Sequence, residues 1–288
     1  MMLLLLMVFN GFILFYATVV GASFLKQPLT NFDLFACGTI AFFVVCGLAF
    51  LFHSPLGQWF LRFSSGARKM IERESQQLNP LIEQVQAAVQ IKHGLAPLKL
   101  QVMVTDDPMP DAFAIGKNTM VVSRALYETA TPDELAAVIA HELGHLHHGD
   151  SNKLGIALGV STVTLVISFL ASMVVTLASF VSKVSPKNEG GIFFHILSFI
   201  AMVFSAFFLL FVWLGNGILK LAMLFVGRKQ EYRADQFAVH AGFGAGLLSF
   251  LEKVKNFEWA SKQSFMAKLY ATHPPVMLRI GELEKLTN

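Results

Sequence analysis

Four stretches of this chain are long and apolar enough to decide its class before any motif is read. A helix needs about 20 mostly apolar residues to cross the hydrocarbon of a bilayer. The first stretch covers Met1 to Leu25 without a charge, and the second runs from Leu34 to Leu61, interrupted only by His53. The third extends from Leu154 to Ser182, between Lys153 and Lys183. The fourth runs from about Gly190 to Leu219, with apolar character resuming after Lys220 as far as Val226. Only 14% of the 288 residues are charged, against roughly 25% in an ordinary soluble domain. Four such runs in so charge-poor a chain predict transmembrane helices rather than buried core helices. The net charge of +3 gives no ground for a nucleic-acid partner. Cys37 and Cys46 both lie in the second run and read as small apolar residues, not a disulfide. No Lys or Arg precedes the first run, and it exceeds a signal-peptide core of about 7–15 residues, so it reads as a retained span.

Lys and Arg near the ends of the spans set the expected orientation. Arg62, Arg68, Lys69 and Arg73 follow the second run, and Arg228, Lys229 and Arg233 follow the fourth, with Lys220 at its edge. The outer loops carry Lys26, Lys183 and Lys187. The balance places both polar inserts and both termini in the cytoplasm, with the third span the least decided. The expected organisation is a transmembrane helix pair over 1–61 and a polar insert over 62–153. A second pair over 154–227 and a second insert over 228–288 follow. Each insert is short for independent stability, so the two are expected to pack as one domain.

Within the first insert, Leu78, Ile82, Val85 and Val89 follow helical spacing. They predict a helix from about Ala67 to Lys92 that Gly94 ends and Pro80 could break. Leu98, Leu100, Val102 and Val104 alternate as one face of a strand, "TDDPMPDA" reads as a loop, and "TMVVS" reads as a second short strand after a Gly116-Lys117-Asn118 turn. Thr131-Pro132-Asp133-Glu134 is a capping box with proline at the first helical position. The helix it opens runs into "AHELGHLHH" and stops at Gly149.

His141, Glu142 and His145 spell H-E-x-x-H on that helix. Residues four apart share a face, so the two histidines can ligate one ion. Zinc suits imidazole, and a catalytic zinc site needs three protein ligands with the fourth position left to water. Glu142, one residue on, is near enough to accept a proton there. Ala137, Ala140 and Gly144 leave room for close helix packing. The spacing that would supply a third histidine fails, because His148 and Ser151 stand where glycine and histidine are needed. "RKQEYRADQFAVHAG" offers Glu231 as a distal third ligand. Asp235, four residues on, could accept the free imidazole N–H of a ligand histidine. Asp150 is a second candidate for that role. His147 and His148 read as bystanders, and His53, His93, His195 and His240 as structural or interfacial.

In this order of motifs the chain resembles the HtpX family of integral-membrane zinc metalloproteases, related to the CAAX prenyl endopeptidase. The matching pieces are two N-terminal spans, "PDAFAIG", "TPDE", "AVIAHELGHLHHGD", two further spans, "EYRAD" and "THPPVMLRI". The resemblance implies His141, His145 and Glu231 as ligands of one Zn2+ and Glu142 as catalytic acid/base. It implies a mainly α fold, four transmembrane helices plus a cytoplasmic zincin-like (gluzincin) α+β domain with a small sheet. It also implies a bacterial inner-membrane endopeptidase that cleaves damaged or misfolded membrane proteins. His273 of "THPP" matches a family histidine that could stabilise an oxyanion, or is a turn residue before two prolines. Asp111 stands where the family usually has asparagine, beside Phe113; ionised, it accepts but cannot donate hydrogen bonds, which puts a substrate-binding role at 111 in doubt. "TMVVS" could offer a sheet edge to an extended substrate. The rival readings are a processing protease of the prenyl-peptide type and a non-catalytic membrane scaffold stabilised by zinc.

Overall fold

The computed structural model describes residues 2–25, 29–184, 189–258 and 276–287. Among them the chain is mainly helical. Helices α1 (Met2–Leu25), α2 (Asn31–His53) and α3 (Pro55–Ser64) come first, followed by strand β1 (Arg68–Lys69) and helix α4 (Glu72–His93). Strands β2 (Gln101–Thr105), β3 (Ala112–Ile115) and β4 (Thr119–Ser123) lead to α5 (Arg124–Thr129), α6 (Pro132–His148) and α7 (Asp150–Val184). Helices α8 (Glu189–His240), α9 (Gly244–Glu258) and α10 (Val276–Thr287) complete the described chain.

Two compact units emerge, one of residues 1–51 with 156–222 and one of residues 52–155 with 223–288. The first holds stretches long and apolar enough to cross a membrane in α1, α2, α7 and α8. Inside it, Asn10 of α1 is buried and accepts hydrogen bonds from the backbone N–H and hydroxyl of Thr164 in α7. Gly215 of α8 admits the ring of Phe9, where a Cβ would stand 2.1 Å from Cζ. Small and polar residues at such crossings are what helix packing in lipid uses, since apolar burial alone gains little there.

The second apolar run does not extend to Leu61 as expected. Its helix ends at His53, because Ser54 caps a new helix with Pro55 at its first position. The fourth run, by contrast, continues as one 52-residue helix through Glu231 to His240.

The second unit is a four-stranded sheet, ordered β1-β2-β4-β3, covered by helices. β2 and β4 are parallel, and the outer pairs are antiparallel. Alternation divides the strands between two faces. Val104, Ala112, Met120 and Val122 join the main core with Leu78, Ile82, Val85 and Val89 of α4 and Leu135, Ile139 and Leu143 of α6. Met103, Ile115 and Val121 face the other way, against Leu61 and Phe113.

Three expectations change here. The helix predicted from Ala67 starts only at Glu72, because Arg68 and Lys69 pair with Val104 and Met103 as an edge strand. Arg68 is held there by forked hydrogen bonds to Glu74 and Asp106. Pro80 does not break α4; it costs one backbone bond, which the buried Leu78, Ile82, Val85 and Val89 around it outweigh. "TMVVS" is not an edge. As β4 it lies between β2 and β3 with all five residues buried, so it offers no free backbone to a substrate. The sequence reading missed β3, a four-residue strand that ends the sheet on the side that packs against α6.

Candidate metal centre

α6 is set by its ends. Thr131 accepts from the Glu134 N–H and Glu134 returns a bond to the Thr131 N–H, while Gly149 closes the helix in the left-handed region at φ 68°. From Leu135 to Leu146 every residue is buried, so the helix that carries the histidines is a core element and not a surface one. Gly144 allows α8 to approach closely. A Cβ there would sit 3.2 Å from the Ala234 Cα and 3.3 Å from the Phe237 Cβ. This contact brings Glu231 and Asp235, four residues apart on α8, against the histidine face of α6.

The result is a buried cluster. His141 Nε2 and His145 Nε2 stand 3.2 Å apart. Glu231 Oε2 lies 3.5 Å from His141 Nε2, and Glu231 Oε1 lies 3.3 Å from His145 Nε2. Ligands about 2.0–2.1 Å from a tetrahedral zinc are separated by about 3.3 Å, which these spacings match. Among the described residues this trio forms the metal-capable group. The donor set, two imidazoles and a carboxylate, also suits zinc.

Each histidine presents Nε2 inward because a carboxylate faces its Nδ1. His141 Nδ1 donates to Asp235 Oδ1 at 2.9 Å. That fixes the tautomer and leaves the Nε2 lone pair for a metal. Asp150 stands at His145, but at 3.7 Å from Nδ1 it is beyond hydrogen-bond reach. Its oxygens are taken instead by Arg233, at 2.7 and 2.8 Å, and by Lys153 at 3.3 Å.

Arg279 of α10 is the residue that sequence reasoning missed. It is buried, donates Nε and Nη2 to Asp235 at 2.9 and 2.6 Å, and places Nη1 3.1 Å from Glu231 Oε2. It thus ties the partner of one candidate ligand histidine to the candidate third ligand itself. The available signal was its place in "THPPVMLRI", already singled out as a motif. Glu142 is buried beside them and its charge acts on both His145 and Arg279. The carboxylates of Glu142, Glu231 and Asp235, set against the Arg279 guanidinium, leave an excess of negative charge that a divalent cation balances.

The electrostatics agree. Burial alone would lower the His145 pKa, but the carboxylates of Asp150 and Glu231 outweigh it and push it up to about 10. His141 is likewise raised, because Asp235 and Glu231 outweigh burial and the Arg279 charge. Two buried histidines whose pKa values are both raised by facing carboxylates sit where a cation is wanted.

Asp111 immediately precedes edge strand β3, and Phe113 is its second residue. The Asp111 N–H donates to Ser123 Oγ, and its carbonyl accepts from the Ser123 N–H, both at 2.8 Å. Phe113 is half-buried opposite Val121. His273 lies outside the described residues. His147 and His148 pack their rings against Phe237, away from the trio. His93 stacks on the same ring at 4.1 Å and bonds the Phe237 carbonyl.

Known proteins bear on this geometry. The sequence pattern of Peptidase family M48 matches residues 72–287. Protease HtpX of Idiomarina loihiensis is 27% identical over 90% of this chain and 91% of its own length. Protease HtpX of Pseudomonas fluorescens strain SBW25 is 29% identical over 85% of each. The crystal structure of S. mikatae Ste24p aligns with 96% of this chain and 80% of its own at 16% identity, with a TM-score of 0.39. That score is too low to carry a comparison of folds.

Proposed function

The chain belongs to peptidase family M48, and from that premise we propose that it is a zinc-dependent endopeptidase of the bacterial inner membrane, acting at the cytoplasmic side on damaged or misfolded membrane proteins. One observation carries the reading most. Two histidine Nε2 atoms and a carboxylate from a helix 86 residues further on converge at 3.2–3.5 Å inside a packed core, and a further carboxylate, Glu142, is buried beside them. His141, His145 and Glu231 would hold the zinc. When bound, it supplies Lewis-acid polarisation of a carbonyl and a lowered pKa for water.

The chain's own residues divide the remaining work. Glu142 accepts a proton from the attacking water and returns it to the leaving amine. Asp235 holds His141 in the ligating tautomer, and Arg279 holds both Asp235 and Glu231. Asp150, locked by Arg233, keeps a negative charge at the back of His145. An extended substrate has a backbone edge to pair with at β3, next to α6, in place of the β4 edge that the fold removes. A structural zinc would need a fourth protein ligand; among the described residues three converge, which favours the catalytic reading over the scaffold. The cytoplasmic side rests on the Lys and Arg bias, and the quality-control role on the family resemblance carried by the order of motifs.

The test is cleavage of a panel of destabilised membrane proteins by wild type and Glu142→Gln, with the products identified by mass spectrometry. Wild type is expected to cut, and Glu142→Gln to lose nearly all cutting. Equal cutting by both contradicts the mechanism. Zinc-loaded wild type that cuts nothing favours the scaffold.

A further inference from the structure

Helix α3 has no part in the metal centre, yet it is built in an unusual way for a helix on a folded unit. Leu56, Trp59, Phe60 and Phe63 fall at i, i+3, i+4 and i+7, the spacing of a single stripe. All four are exposed, from 50% for Phe60 to 72% for Phe63. Trp59 and Phe63 stack their rings 5.7 Å apart within the stripe. The helix is nevertheless firmly seated, by its other face. Gln58 is buried, and its side-chain amide donates to the Phe52 carbonyl and to Asn152. Its carboxamide oxygen occupies the space over Gly116, where a Cβ would come within 1.3 Å. Leu61 packs on Met103, Ile115 and Val121 of the sheet. The aromatic stripe is therefore turned outward by design of the inward face.

An exposed apolar patch of this kind marks an interaction surface, and chain continuity says with what. α2, a span-length apolar helix, ends at His53, and α3 begins at Pro55. Consecutive Cα atoms are about 3.8 Å apart, so α3 starts within about 8 Å of the end of a membrane-crossing helix. Trp and Phe on one face of a short helix, with Arg62 at its end, are the composition of a helix lying in the headgroup region. Lys69 and Arg73, both exposed, follow closely and suit anionic headgroups.

We propose that α3 lies flat in the bilayer interface, with Leu56, Trp59, Phe60 and Phe63 inserted at the headgroup–acyl boundary. It is the surface by which the sheet-bearing unit docks on lipid. Because Leu61 packs against the cluster that includes Ile115 of β3, the same helix fixes the height of that strand above the membrane. The inference does not depend on the chain hydrolysing anything.

The experiment uses the full chain in vesicles containing anionic lipid, with Trp213→Phe and Trp259→Phe so that Trp59 is the one tryptophan. Its emission is read against lipids brominated near the headgroup end or at the far end of the acyl chains, and against aqueous iodide. The stripe in the interface predicts blue-shifted emission, strong quenching by the shallow bromines, weaker quenching by the deep ones, and little by iodide. Iodide quenching without bromine quenching means the stripe faces water, and quenching by neither means protein covers it, a second copy or a bound substrate. Strongest quenching by the deep bromines means α3 continues the span. Each of these three overturns the proposal. Phe63→Cys in a Cys37→Ala, Cys46→Ala chain gives an independent readout. A membrane-impermeant maleimide is expected to label it far more slowly than Ile91→Cys, whose parent side chain is 79% exposed on α4. Equal labelling in intact vesicles overturns the proposal as well.

Discussion

At the residue scale the account turns on Arg279 and the two carboxylates it holds. Removing it strips Asp235 and Glu231 of the guanidinium that bridges them and leaves Asp235 free to rotate off His141. Supporting partners of metal ligands typically contribute 10–100-fold in affinity or activity. Arg279→Gln and Asp235→Asn are each expected to weaken zinc binding by about that factor, measured by competition with a chromogenic chelator. Wild-type affinity in both would show that the tautomer is fixed some other way. A second prediction concerns protons. His145 is raised to about 10 without metal and His141 is raised too, so the metal-free site carries protons at neutral pH that binding must displace. Zinc binding should release protons near neutral pH and tighten as pH rises toward the mildly alkaline range. Calorimetry in buffers of different ionisation heat reads this, and no net release would contradict it. His141, Glu142 and His145 were legible as H-E-x-x-H, and Glu231 and Asp235 as an i, i+4 pair. Arg279 was not assigned a role: its motif "THPPVMLRI" stood out, but the two partners that give the arginine its part lie 44 and 48 residues away on another helix.

At the element scale, the site depends on how α6 is capped and how closely α8 can approach it. Glu134 bonds the Thr131 N–H, Ser249 and Lys253. Burial would raise its carboxyl, but these partners outweigh burial and hold it at about 2 against an ordinary 4.5. A depressed carboxylate contributes stability that is fully present above 4.5 and is lost as pH falls toward about 2. Glu134→Gln is expected to cost about 2 kcal/mol at neutral pH. Its difference from wild type should shrink on acidification through that window, as followed by denaturant unfolding of the detergent-solubilised protein. A constant difference down to the acid end would mean that the ionised form is not what stabilises the cap. Gly144→Val forces side-chain atoms into the α8 backbone. Overpacking of this kind costs about 1–3 kcal/mol, and here the strain falls on the helix that carries Glu231, so zinc affinity should drop with stability. Three helix ends were readable, because caps are local chemistry: Thr131, Gly94 and Gly149 act as expected. β1 and β3 were not, because strands of two and four residues are decided by partners distant in sequence. Ser54-Pro55 was overlooked inside an apolar run, although it is the signal that ends α2.

At the scale of the whole molecule, four apolar stretches and an interrupted peptidase domain are one design. The membrane class was legible from charge scarcity and run length alone. The peptidase class was legible from motif order, and the family match over residues 72–287 agrees with it. What only the fold supplies is the reason the pieces work together. α8 runs as a single helix from an apolar, span-length stretch to Glu231, so a candidate third ligand 86 residues from His145 is carried on the helix that follows the last apolar run. The most direct measurement is zinc content by mass spectrometry of the purified full chain beside proteolysis, for wild type, Glu142→Gln and Glu231→Gln. The account predicts equimolar zinc in wild type and Glu142→Gln, cleavage in wild type alone, and loss of both zinc and cleavage in Glu231→Gln. A Glu231→Gln protein that keeps equimolar zinc and cleaves at the wild-type rate would contradict it.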